Sequence, residues 1–132
     1  VKRPYFVSNK LIRTWIPLAC LEFDRKVGDL TFIFVSDAYL LEMNQQFLQH
    51  DYYTDIITFD LSETQKIVAE VYISLDRVRD NAKKEETSLR AELHRVIFHG
   101  ALHLSGYGDK TKAEIKIMRE KEEEYLGRWL KD

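Results

Sequence analysis

The chain has 132 residues, 45% hydrophobic and 32% charged, a balance that supports one buried core and excludes a disordered or fibrous chain. Its 20 basic residues face 22 acidic ones, a net charge of −2, so bulk charge does not by itself hold nucleic acid. A single cysteine, Cys20, excludes an intrachain disulfide and a cysteine-based metal cluster, and no apolar run approaches the ~20 residues of a membrane span. Val1, Lys2, Arg3, Pro4 and Tyr5 carry no basic-then-apolar leader pattern, so a cytoplasmic protein is expected.

No repeat, low-complexity tract or linker divides the chain, and a single domain over residues 1–132 is expected. Residues 3–7 are compatible with a short strand. Over residues 9–25, Leu11, Trp15, Leu18 and Leu21 recur at helical spacing, and Pro17 predicts a kink or a later start. Residues 30–35 are β-branched and aromatic, which predicts a strand buried on both faces. Ser36 is suited to cap a helix running to about Leu48. Strands are expected over 55–61 and 67–75, joined by a five-residue hairpin loop, with a short helix over about 76–84. A longer helix spans about 88–105, capped by Ser88 and stopped by Gly106, with Leu89, Leu93, Val96, Ile97, Ala101 and Leu104 as its core stripe. Thr111 and Glu114 form a capping box that opens the last helix, whose stripe is Ile115, Met118, Tyr125, Leu126 and Trp129. The mixed order of elements predicts an α+β fold: a small mixed four-stranded sheet packed with about five helices.

His99 and His103 stand at i and i+4, so their rings leave one face of the helix a turn apart and can reach one cation. Past Gly106 a glycine-rich return brings Asp109 back as a third ligand. Two imidazoles and a carboxylate suit Zn²⁺ or another divalent first-row ion, and three protein ligands leave a position for water. Chance also produces such histidine pairs, so the spacing leaves an ion and an ordinary polar helix face both open. A zinc peptidase helix has Glu after its first histidine; here Gly100 stands there, so any general base must come from elsewhere.

The run His99-Gly100-Ala101-Leu102-His103-Leu104-Ser105-Gly106-Tyr107 resembles the signature of the YbeY family, bacterial metal-dependent endoribonucleases of rRNA maturation and ribosome quality control. The likeness covers roughly residues 30–126: Asn44, the block Thr54-Asp55-Ile56-Ile57-Thr58-Phe59, the strand Ala69-Glu70-Val71-Tyr72-Ile73-Ser74 and the pair Glu92-Leu93 all resemble family motifs. The resemblance implies a metal site on the histidine helix and the turn after it, holding one divalent ion per chain, zinc first. It implies hydrolysis of an RNA phosphodiester by metal-activated water, in small-subunit (16S) rRNA 3′ end maturation. The partners implied are rRNA and the small ribosomal subunit, with no membrane and no small-molecule cofactor. The alternative is a non-catalytic ribosome-assembly factor with a structural ion; Gly100 argues against a peptidase.

Two departures stand out. The family's third ligand is a histidine, where this chain has Asp109 after Gly108, and the family's arginine in the preceding block is replaced here by Leu48, after Phe47. Thr54, Asp55 and Thr58 lie on a strand that borders the metal cleft in the resembling fold. They are candidate substrate contacts, with a turn-forming Thr-Asp pair as the other reading. Tyr107 is a candidate base-stacking ring or a residue packed on its own turn. Glu70 is a candidate acceptor orienting a ligand histidine, or a solvent-facing strand residue. His50 and His94 are expected at the surface or rim. The basic residues of 77–90 and 110–119 are expected on solvated helix faces, the second group also as a candidate phosphate rim.

Overall fold

A computed structural model describes residues 2–48 and 54–131. The chain opens on a turn in which Val7 N donates to Pro4 O at 3.1 Å. A π turn (Leu11–Trp15) leads into helix α1 (Ile16–Cys20), which ends in a 3₁₀ turn (Leu21–Phe23). Then follow β1 (Val27–Val35), α2 (Asp37–Leu48), β2 (Ile56–Asp60), β3 (Ile67–Ser74), α3 (Leu75–Lys84), α4 (Leu89–Ser105) and α5 (Lys112–Lys131). Among the described residues the fold is α+β with five helices, as expected. The sheet among the described residues has three strands, not four. Residues 3–7 form no strand: Pro4 has no N–H to give a ladder, and its carbonyl is spent on the turn to Val7.

The sheet order is β1-β3-β2, with β1 parallel and β2 antiparallel to β3. The most apolar-looking strand is therefore an edge: Phe34 and Val35 of β1 are buried, while Leu30, Phe32 and Ile33 are only half-buried. Alternation along the strands sorts two cores. Ile67, Ala69, Val71 and Ile73 of β3 join the main core under α1, α3, α4 and α5. Val35 and Ile57 face α2, packing with Leu40 and Met43, beside the half-buried Phe59 and Tyr72.

Helix α1 does not bury the stripe its sequence suggests. Leu11 is buried, but beyond it Ile16, Ala19 and Cys20 are the buried positions, while Leu18 and Leu21 are exposed. A π turn holds more residues than an α turn, so the buried face slips by about one residue past Trp15. Pro17 falls in the first turn of α1, where its missing N–H costs nothing. Asp24, at φ 58°, closes the segment.

Helix α4 is the axis of the molecule, packed against α1, α3, α5 and β2. It is buried almost all round, including Leu93, Val96, Ile97, Phe98, Ala101, Leu102 and Leu104. Ser88 caps it by accepting from Ala91 N at 3.0 Å. At Gly100 the helix approaches the sheet so closely that a Cβ would sit 3.0 Å from Ile56 Cδ1 and 3.5 Å from Val71 Cγ1. Position 100 thus faces the sheet rather than the histidine face. That is why a glutamate, as in a peptidase helix, has no place there.

Arg25 ties the far end of α4 to the β2–β3 hairpin. Its guanidinium donates to Leu104 O at 2.6 Å, Gln65 O at 2.9 Å and Asp60 Oδ2 at 3.2 Å. His94, expected near the surface, is 1% exposed. It lies between the Phe6 and Trp129 rings, centroids 5.9 and 5.6 Å away, with Nδ1 donating to Arg90 O at 2.6 Å. Its Nε2 has no partner, and burial holds its pKa below 6.5. His50 lies outside the described residues.

Candidate active-site cleft

A cleft of about 290 Å³ opens where α4 and α5 meet the start of β2. Asp55 and Ile56 line it from β2 and the turn before it. Glu92, Arg95 and His99 come from α4, Asp109 from the turn after it, and Met118, Arg119 and Glu122 from α5. His99 sits at its centre. Nδ1 of the ring lies 2.6 Å from Glu122 Oε2, and Nε2 lies 3.3 Å from Asp109 Oδ2. Burial opposes a charge on this ring. The Glu122 carboxylate, with Asp109 and Asp55 behind it, outweighs that and raises the His99 pKa above 6.5.

Asp55 and Glu92 are carboxyls raised above their ordinary range by burial, the first drawn back by the nearby His99 and the second by Arg95. Asn81 Nδ2 donates to Asp55 Oδ2 at 3.3 Å. Arg95 bridges Glu92 Oε1 and Glu123 Oε1, both at 2.7 Å, leaving its buried Nε without a partner. Arg119 stands 3.5 Å from Glu122 Oε1 with its side chain 60% exposed. Of the other basic side chains noted in the sequence, Arg77 pairs with Asp37 at 2.7 Å and Arg79 with Asp76 at 3.8 Å, while Arg90 lies over the Phe6 ring at 5.3 Å.

The turn carrying Asp109 is shaped by its own sequence. Gly106 adopts φ 138°, and its N–H closes the helix onto Leu102 O and His103 O, each at 3.2 Å. The expected capping box forms: Glu114 N donates to Thr111 Oγ1 at 3.1 Å, and Glu114 Oε1 accepts from Thr111 N at 3.0 Å and Lys110 N at 3.3 Å. Those backbone bonds hold the Glu114 carboxyl below its ordinary pKa. A Cβ at Gly108 would run into that carboxylate, so keeping the cap in this position calls for glycine at 108.

Of the sequence-predicted residues, the structure brings His99, Asp109 and Asp55 to one cleft. His103 lies on the exposed side beyond it, Nδ1 at 3.2 Å from Tyr107 O. Thr54 turns its hydroxyl to Ile56 O at 3.3 Å, and Thr58 faces Gly100; neither lines the cleft. Tyr107 packs edge to face on Phe23 at 4.9 Å, which is the turn-packing reading. Glu70 is on the opposite sheet face. It accepts from Tyr72 Oη at 3.2 Å and lines a groove beside α2, so it orients neither histidine. Sequence reasoning missed Glu122, although a signal was present: it falls four residues after Met118 and three before Tyr125, an acidic residue inside a buried stripe.

As placed, no three His, Cys, Asp or Glu side chains among the described residues converge into a ready ligand cluster. The donor chemistry nonetheless fits a divalent ion. Both histidines have Nδ1 engaged by an acceptor, Glu122 and Tyr107 O, which leaves both Nε2 atoms for a ligand. The Asp109 carboxylate already faces one of them.

Fold and cleft together define a small α+β domain with a histidine–carboxylate cleft between its last two helices and its sheet. The family model for Endoribonuclease YbeY matches residues 5–130, and the chain belongs to that family. It is 52% identical to the Endoribonuclease YbeY of Cytophaga hutchinsonii, over 87% of this chain and 81% of that one. It is 48% identical to that of Parabacteroides distasonis, over 91% and 84%. Among solved structures it is similar to TM1509 from Thermotoga maritima, with a TM-score of 0.56 and 29% identity over 95% of this chain and 87% of that one.

Proposed function

We propose that this protein is a cytoplasmic, metal-dependent endoribonuclease that hydrolyses rRNA phosphodiester bonds in maturation of the small ribosomal subunit. The observation that carries the reading is His99, held in an open cleft between the carboxylates of Glu122 and Asp109, in a chain whose relatives bear the name Endoribonuclease YbeY. His99, His103 and Asp109 are the residues to hold one divalent ion, zinc first. When bound, such an ion supplies Lewis acidity to a phosphoryl oxygen and to the attacking water.

The chain's own residues supply the rest. Asp55, on the cleft wall and with Oδ2 held by Asn81, is the base from elsewhere that Gly100 makes necessary; it takes the proton of the water. Arg119, on the cleft wall, mostly exposed and 3.5 Å from Glu122 Oε1, is a cation placed to meet a phosphate.

The test is cleavage of rRNA by protein stripped of contaminating nucleases, comparing wild type with His103→Ala and Asp55→Asn. Loss of cleavage in both variants, with the fold kept, supports the reading. If wild type with an ion bound leaves rRNA intact, the assembly-factor reading takes its place.

A further inference from the structure

Glu122 is a carboxylate in a place that packing alone does not call for. It occupies a buried position on α5, its side chain 7% exposed, in line with the buried Met118 and Tyr125. A neutral or apolar side chain would fill that position without the cost of burying a charge. The carboxylate instead reaches across to the neighbouring helix, Oε2 on His99 Nδ1 at 2.6 Å, while Oε1 faces Arg119 at 3.5 Å.

A neutral imidazole has one ring proton, and the closer acceptor decides which nitrogen carries it; at His99, Glu122 Oε2 is 2.6 Å from Nδ1, while Asp109 Oδ2 is 3.3 Å from Nε2. We propose that Glu122 is the positioning residue of the cleft: it holds the ring proton on Nδ1, so that Nε2 of His99 is the nitrogen presented as a ligand, and it strengthens that nitrogen as a donor. The inference rests on the metal-site reading above and deepens it. His103 has the same arrangement with a weaker, neutral acceptor, Tyr107 O at 3.2 Å, so His99 is the more firmly set of the two rings. The placement also makes the ligand geometry depend on how α5 packs against α4, since ring and acceptor lie on different helices.

The test compares wild type, Glu122→Gln and Glu122→Asp, each first shown to be folded by circular dichroism. Zn²⁺ affinity is read by competition with a chromophoric chelator. Glu122→Gln keeps size and an acceptor oxygen but removes the charge, and a loss of roughly 10- to 100-fold in affinity is expected, with partial recovery in Glu122→Asp. A second readout uses ring-nitrogen NMR of ion-free protein in alkaline buffer, where the ring is neutral. Wild-type His99 is expected as the Nδ1–H tautomer, with Nε2–H gaining in Glu122→Gln. Nε2–H dominant in the wild type overturns the proposal, as does a Glu122→Gln protein unchanged in both affinity and ring spectrum. Should wild type take up no Zn²⁺, the metal reading fails by itself, and the ring spectra of wild type and Glu122→Gln still decide the role of Glu122.

Discussion

At the scale of single residues, the cleft concentrates groups whose protonation is set by their neighbours. Replacing His99 or His103 by Ala is expected to lower the divalent metal that co-purifies with the protein, measured by elemental analysis. At Asp109, His is expected to keep or tighten Zn²⁺ binding and Ala to weaken it, read by chelator competition. Equal affinity of wild type and Asp109→Ala would leave Asp109 a turn residue. His94, away from the cleft, gives a different test. Its ring is buried neutral and its pKa is lowered below 6.5, so the unfolded chain takes up a proton that the folded chain refuses. The stability this provides is present above pH 6.5 and is lost as the pH falls below that value. Urea midpoints measured from about pH 7 to about pH 5 should therefore fall more steeply in wild type than in His94→Phe. Asp55 and Glu92 are raised and act with the opposite sign, but they are common to both proteins and cancel in the comparison.

At the scale of elements, the backbone around the site is held by a few positions with no spare room. Gly106 at φ 138° would place a Cβ 3.1 Å from the Phe23 ring, so Gly106→Ala is expected to cost about 1–3 kcal/mol in urea unfolding. Because the same turn carries Asp109, that variant should also bind Zn²⁺ more weakly. Within α4, Leu93 is fully buried in the main core, and Leu93→Ala should cost about 2–5 kcal/mol. The caps at Ser88 and Thr111–Glu114 were legible in the sequence because each is decided within four residues. The buried face of α1 was not, because a π turn shifts everything after it, and no side chain in Leu11–Trp15 announces one.

For the molecule as a whole, the main core meets the cleft only at its wall, where Val96 and Met118 belong to both. Leu93, Ile97, Leu104 and Met118 pack without either histidine, so the fold should persist when the ion leaves. Zn²⁺ at a hundredfold excess over its Kd is expected to add about 2.7 kcal/mol to wild type by mass action, seen as a raised Tm. His103→Ala should remain folded by circular dichroism and show little of that rise. Unfolding of wild type on chelation would make the ion structural instead.

The periodicities, the caps and the paired histidines on α4 were present in the sequence itself, since each depends on residues a turn or two apart. So was Asp109 beyond its glycines, because a short return leaves few places for it to go. Tertiary structure alone decided the rest. It put β3 at the centre of the sheet, left β1 as an edge, turned Glu70 to the face away from α4 and brought Asp55 beside His99. It also set Glu122 on His99 across a separation of 23 residues. Such pairings depend on how whole faces pack, and residue spacing along one element carries no record of its neighbour.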